Sequence, residues 1–403
     1  MQKARLARVI VLASVGAIAL SACSARTDSG SNNNGSSSQS QAAAPSAAAD
    51  AADPAGDGKA QCAPTSIAYA GTINGANAAL GVNILNGAKL AVDQHNKANP
   101  GCHVKLEQFD TEGTPDKAPG IVTQIVNTPA IIGVVGLPFS GESKAAGNIF
   151  NGAGLVTVTP SATNPTLSQN GWKTFFRGLG NDNTQGPAAA KFMTGELKAA
   201  KVCVIKDDSD YGTGLAASTV QALGDKGTCQ DSVKTKQTDF SAVVNKIKSE
   251  KPDAVFYSGY YQEAAPFAQQ LNDAGVTAKF VGPDGVKDDE FVKGAGEAAA
   301  NAYFTCPCVP ADQFTKFTDA YKAAVGKDPG TYSPEAYDLA TILLKGIDAG
   351  KKDRAGLLDF VKSYDGQGIT KHFKWDDKGE LASTTVWTYK VEGGKIVRNT
   401  EIK

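Results

Sequence analysis

Histidine is scarce in this sequence of 403 residues: His95, His103 and His372 are the whole supply. Side chains able to move protons near neutral pH are therefore few. None stands in a nucleophile elbow, a P-loop or a paired-histidine zinc motif. His95 falls among polar residues on an expected helix and reads as a solvated surface group. "GTGLAA", residues 212–217, approaches a dinucleotide fingerprint, but "DDSDY" separates it from its strand and the pyrophosphate needs that tight turn. "DDSDYG" and "WDDKGE" gather carboxylates without the spacing of a calcium loop, so both read as turns. Binding chemistry remains. Hydroxyls and small residues follow strand-like runs in "GLPFSGES" and "PSATNPTL". Free N–H groups at a helix start hold an anion well, so Ser140 and Ser161 to Thr163 suit a carboxylate or, equally, plain helix capping.

The elements that would carry these residues alternate. Short β-branched runs ("SIAYAG", "VKLEQFD", "IIGVVG", "LVTVTP") are separated by helical patterns such as "NILNGAKLAVDQHNKA" and "APGIVTQIVNT". A second series follows "FRGLGNDNTQG": helix "PAAAKFMTGELKAA", then strands "KVCVIKDD", "DSVKTK", "AVFYSG" and "AKFVGPDG" with helices between them. This alternation predicts parallel sheets covered on both faces, in two α/β lobes. Ligands of such sheets bind beyond the carboxyl ends of the strands, where the candidate residues stand. The last stretch has period-two runs around "DDKG" and "EGGK" turns and is expected to form antiparallel strands. With 40 basic and 41 acidic residues the chain is nearly neutral, and nothing favours nucleic acid.

At the start, Lys3, Arg5 and Arg8 precede the apolar run Val9 to Leu20, which is too short to span a bilayer. This reads as a signal peptide over residues 1–23. Leu20-Ser21-Ala22-Cys23 resembles a bacterial lipobox, which would make Cys23 a lipid anchor on the extracytoplasmic face of the membrane. Residues 24–61 lack aromatics and apolar periodicity and are expected to be a disordered tether. Setting Cys23 aside leaves an even number of the seven cysteines, the mark of disulfides in an exported domain. Cys62 and Cys102 each precede a strand of a consecutive pair, and Cys203 with Cys229 repeats that logic. Cys306 and Cys308 remain. A bridge across one proline is strained, and the alternative of a metal or redox site has no nearby histidine or second cysteine pair.

The blocks "LPFSGES", "TPSATNPTL", "GNDNTQGPAAAKF", "KDDSDYGTGLA", "FYSGYYQEAAPFAQQLNDAG" and "FVGPDG", in this order, resemble the substrate-binding proteins of branched-chain amino acid ABC importers. The resemblance covers nearly all of Ser66 to Glu380. It implies two Rossmann-like lobes joined by a three-crossover hinge, the periplasmic-binding-protein-like type I arrangement. The lobes would be residues 62–181 plus 308–367 and residues 182–307 plus 368–403, with crossovers near "GLGNDN", "FTCPCV" and "DGQGIT". It implies no enzyme activity and no cofactor. The partners are an amino acid such as Leu, Ile or Val and an importer permease, and the protein would work as a monomer. On this resemblance Ser140 and Thr163, beside Ser161 and Ala162, hold the ligand carboxylate, and Asp284 pairs with its ammonium. Tyr211, Tyr260 and Tyr332 form aromatic walls, with Phe139 an apolar contact. Leu80 stands where relatives carry an aromatic side chain, and Asp284 stands where many carry Glu, which leaves the exact ligand open. Asp284 also suits a Pro-Asp-Gly turn. Another small amino acid, an aliphatic amide, or a sensor role on the same fold are the alternatives.

Overall fold

The computed structural model describes residues 51–402. The β-branched runs of the first half become β1 (Thr65–Gly71), β2 (Val104–Asp110), β3 (Ile131–Gly136), β4 (Val156–Thr159) and β5 (Phe175–Arg177). All pair in parallel, in the order β2-β1-β3-β4-β5. Between them run α1 (Ala78–Ala98), α2 (Ala118–Val126) and α3 (Ser140–Gly152). In α1 the buried Leu80, Ile84, Ala88, Ala91 and His95 recur every three or four residues and form one face.

The second half gives α4 (Asp182–Lys191), β6 (Val202–Lys206), α5 (Asp210–Leu223), β7 (Gly227–Ser232), α6 (Ser241–Glu250), β8 (Ala254–Ser258), α7 (Tyr261–Asp273), β9 (Lys279–Gly282), α8 (Asp289–Ala295) and β10 (Ala302–Cys306). The chain then returns to the first sheet with α9 (Thr315–Val325), α10 (Ser333–Asp348) and α11 (Arg354–Lys362), and α10 packs along α1. β11 (Asp365–Gln367) and β12 (His372–Lys374) form a small antiparallel pair. Last, β13 (Val386–Glu392) and β14 (Lys395–Ile402) extend the second sheet, ordered β14-β13-β10-β9-β8-β6-β7, with the two late strands antiparallel. The two α/β lobes and parallel sheets expected from the sequence are present. Among the described residues no helix is long and apolar enough to cross a membrane.

Several expectations need correction. The strand expected at "DSVKTK" begins earlier, at Gly227, because Cys229 pairs in register with Cys203 and lies inside the strand. The two expected pairs, Cys203–Cys229 and Cys62–Cys102, are disulfides as read from the sequence, and Cys306–Cys308 is bridged as well. The tether expected through Gln61 ends sooner: Ala52 N–H donates to Gln367 O at 2.6 Å, and Asn99 Nδ2 donates to Ala55 O at 3.0 Å while Asn99 Oδ1 accepts from Ala60 N–H at 3.0 Å. Residues after Gln367 stay with the first sheet, since Arg177 N–H donates to Gly379 O at 2.9 Å, so the last crossing follows that turn rather than position 367. His95 is not a surface group. It is fully buried between α1 and α10, with Nε2 2.8 Å from Asp348 Oδ1. Cys23, the signal peptide and the first part of the tether lie outside the described residues.

Candidate ligand-binding site

The carboxyl ends of β3 and β4 build one half of the site. β3 runs through Phe139 into α3, whose first N–H groups have no partner within the helix. Glu142, in the first turn, reaches back so that its Oε2 accepts Phe139 N–H at 3.2 Å. Burial pushes that carboxyl up to about 7. Ser140 Oγ accepts Asn164 N–H at 3.2 Å, stitching the start of α3 to the loop after β4. In that loop Ser161 donates its hydroxyl to Pro138 O at 2.8 Å, and Ala162 N–H donates to Thr159 Oγ1 at 3.1 Å. Underneath, the buried Arg177 guanidinium donates to the carbonyls of Ala162 and Asn164, the latter at 3.0 Å. Ser161 and Ala162 therefore spend their polar atoms on the loop itself. Ser140 and Thr163 are buried beside it, and Thr163 Oγ1 has no hydrogen-bond partner.

The other half follows β6, β8 and β9. Asp284 is fully buried and receives two phenol hydrogen bonds, from Tyr211 to Oδ1 and from Tyr332 to Oδ2, each 2.6 Å. Burial raises its carboxyl, and those two bonds oppose the rise. Tyr332 caps α10 with φ 70°, a left-handed conformation that costs a non-glycine residue about 1–2 kcal/mol. Its hydroxyl bond to Asp284 offsets that strain. Tyr260 packs between Phe139 and Tyr211 in tilted ring contacts, at centroid distances of 4.7 and 5.0 Å. Gly285 must be glycine here, because a Cβ would stand 2.8 Å from the Tyr211 ring and 3.0 Å from that of Tyr260. The expected residues Phe139, Tyr211, Tyr260, Tyr332 and Asp284 are thus joined in one contact network. Leu80 is buried at the start of α1, beside the seam where Ala79 N–H donates to Tyr261 Oη at 3.3 Å and Asn77 Oδ1 accepts Gln262 N–H at 3.3 Å. Asn164 Nδ2 to Asp210 O (2.7 Å) and Lys144 Nζ to Asp210 Oδ1 (2.6 Å) tie the same seam.

A family model described as periplasmic binding protein matches residues 64–395. The chain belongs to this family. It is 32% identical over 345 residues to a leucine-, isoleucine-, valine-, threonine- and alanine-binding protein of Pseudomonas aeruginosa, covering 84% of this chain and 92% of that one. Among solved structures it resembles the branched-chain amino acid transporter substrate-binding protein LivJ of Streptococcus pneumoniae in complex with isoleucine: TM-score 0.78, 28% identity, 84% of this chain and 100% of that one. A leucine-binding protein, LivK, of Thermotoga maritima gives TM-score 0.76 at 27% identity, covering 84% and 98%. As a periplasmic binding protein the chain is a solute binder rather than an enzyme.

In this periplasmic binding protein the sequence reading missed two residues, Asp182 and Gln185. "GNDNTQG" reads as a linker, yet Asn181 Oδ1 accepts Asn183 N–H at 3.0 Å and so caps a helix that starts at Asp182. The capping Asn followed by acid and amide one turn apart was the available signal. Gln185 donates to Thr305 O at 3.0 Å and also supports the charge of Asp284. Thr163 favours an ionised Asp182, yet Thr163 Oγ1 and both Asp182 oxygens have no hydrogen bond. Burial first, then the neighbouring Asp284, pushes Asp182 up to about 7.

A stability effect follows with a definite sign. An unfolded aspartate titrates near about 4, so between there and about 7 the folded state holds a proton that the unfolded state has lost. That contribution is complete below about pH 4 and gone above about pH 7. Asp182→Asn should therefore stabilise the ligand-free protein at pH 8, by a term on the order of 4 kcal/mol less the cost of the amide's own missing partners, and so raise its melting temperature. Calorimetric melting from pH 4 to pH 8 checks it: the gain must grow with pH, and a pH-independent gain would mean that Asp182 is not a buried charge.

Proposed function

We propose that this chain is an extracytoplasmic, lipid-anchored solute-binding protein that captures leucine, isoleucine, valine or a similar aliphatic amino acid and delivers it to an ABC importer. One observation carries the reading: an excess of buried acceptors where the lobes meet. Both oxygens of Asp182 and Gln185 Oε1 are buried acceptors without a hydrogen bond, beside the unpartnered Thr163 hydroxyl and next to the buried carboxylate of Asp284. Buried acceptors without donors cost about 1–3 kcal/mol each, so the site favours a ligand rich in donors. An α-ammonium group brings three N–H donors and a positive charge. Its carboxylate suits the free N–H groups at the start of α3 beside Ser140, and an aliphatic side chain suits Leu80, Phe139 and Tyr260. The names of the similar proteins point to the same ligand class. Cys23 would supply the anchor, and the residues before Ala51 the tether.

Mass spectrometry of the small molecule that co-purifies, followed by titration calorimetry with Leu, Ile, Val, Ala, Phe and simple aliphatic amides, tests the proposal. An aliphatic amino acid should bind at micromolar concentration or below, and amides without an ammonium should not. Preference for an amide would overturn the ammonium assignment, and silence across the panel would overturn the ligand class.

A further inference from the structure

His95, fully buried near the end of α1, has both ring nitrogens engaged. Nδ1 lies 3.1 Å from Asn96 Oδ1. That oxygen is an acceptor, because Val104 N–H donates to it at 2.9 Å while Asn96 Nδ2 donates to Val104 O at 2.8 Å. Nδ1 must therefore carry a proton, and by the same argument Nε2 donates to the acceptor Asp348 Oδ1, 2.8 Å away, through a proton that a metal ion would displace. One nitrogen fixed by an N–H···O bond and the other directed at a second donor atom is how proteins orient a metal-binding histidine. Cys102 stands at the same point: its sulfur, a ring nitrogen of His95 and a carboxylate oxygen of Asp348 lie within 4.8 Å of one another. Cys62 is bonded to that sulfur, so a fourth donor is one bond away. His95 is in the last turn of α1 and Asp348 is the last residue of α10, and helix C-termini favour a cation.

We propose that the Cys62–Cys102 disulfide covers a Zn2+ site of two cysteines, one histidine and one aspartate, which opens when a dithiol reductant breaks the bridge. The thiolate of the reductant attacks Cys62, which is partly exposed whereas Cys102 is buried. Its second thiol then resolves the mixed disulfide. Two electrons reach the bridge, the reductant leaves as its own disulfide, and two cysteine thiols remain. Zn2+ displaces the two thiol protons and any proton on His95 Nε2, and takes S, S, N and O in the four-ligand set common for structural zinc. Two thiolates and Asp348 oppose the two positive charges of the ion, and the nearby Lys345, which disfavours positive charge at His95, neutralises the remainder. Cys62 and Cys102 precede β1 and β2, so this site sits at the opposite edge of the sheet from the ligand loops.

Anaerobic titration of the reduced chain with Co2+, then Zn2+, reads the site directly. A chain carrying Cys203→Ser, Cys229→Ser, Cys306→Ser and Cys308→Ser keeps the other bridges out of the signal. Expected are one tetrahedral Co2+ with thiolate charge-transfer absorption, its displacement by Zn2+, and no such spectrum in the oxidised chain. His95→Gln and Asp348→Asn should each weaken Zn2+ binding at least tenfold. The proposal fails if the reduced chain gives no charge-transfer band, if both variants bind as tightly as the parent, or if circular dichroism shows that reduction unfolds the lobe.

Discussion

Asp284→Asn is expected to weaken amino acid binding at least a hundredfold and to leave the melting temperature of the unliganded protein unchanged or higher. The carboxylate is fully buried and held by the Tyr211 and Tyr332 hydroxyls at 2.6 Å, so its position is fixed before a ligand arrives. An ammonium facing it makes a charge-assisted bond, and removing one member of a buried ion pair costs on the order of 3–5 kcal/mol. That is a large share of the roughly 8 kcal/mol that a micromolar ligand gains on binding. Asparagine keeps the shape, and the turn survives because Lys287 N–H donates to the backbone carbonyl of residue 284 at 3.2 Å. Only the charge goes, and burial already disfavours that charge in the free protein. Ser140→Ala should do less, since its hydroxyl accepts Asn164 N–H while the backbone N–H groups of α3 remain for a carboxylate. Titration calorimetry and thermal melting on the same samples separate the roles. Lost stability with intact binding would make Asp284 a turn residue, and intact binding alone would point to a ligand without an ammonium.

The parts of this molecule that could be read from the sequence are those set by short-range pattern. Alternating strand and helix periods led to one parallel and one mainly parallel sheet, and the position of Ser140, Thr163, Tyr211, Tyr260 and Asp284 after strands brought them to one end of those sheets. What escaped is set by partners far along the chain. Arg177 finds Glu380 203 residues away, and His95 finds Asp348 253 residues away. The polar neighbours of His95 describe its own helix and say nothing of α10, which covers it. Asp182 escaped for a different reason: a capped helix start and a linker share the same Asn- and Asp-rich composition. The docked residues 51–61 have few apolar side chains, and hydrogen bonds from their backbone to Asn99 hold them together with small contacts such as Ala60 on the core, so no hydrophobic pattern marks them.

Arg177→Met should lower the melting temperature by on the order of 10 °C and loosen ligand binding at least tenfold. The guanidinium is fully buried and meets Glu380 along two edges, Nη2 to Oε1 at 2.9 Å and Nε to Oε2 at 3.1 Å. Its remaining N–H groups hold the carbonyls of Ala162 and Asn164, on either side of Thr163. Methionine fills the stem's volume but leaves a largely buried Glu380 unpaired, the Ala162 carbonyl without a donor and the Asn164 carbonyl with only the Leu167 N–H at 3.2 Å. Breaking a buried pair from one side costs on the order of 3–5 kcal/mol, and each kilocalorie is worth roughly 2–4 °C in a domain of a few hundred residues. The loop that presents Thr163 would then lose its floor, which is why affinity should fall together with stability. Adding Glu380→Met tests the cause: with both charges gone the uncompensated carboxylate disappears, so part of the melting temperature should return. Binding should not return, because the loop still lacks both Arg177 hydrogen bonds, and the Ala162 carbonyl has no other donor. Simple additivity of the two substitutions in thermal melts would show that Arg177 and Glu380 are not energetically coupled, and recovered affinity in the double variant would show that Arg177 does not position the loop.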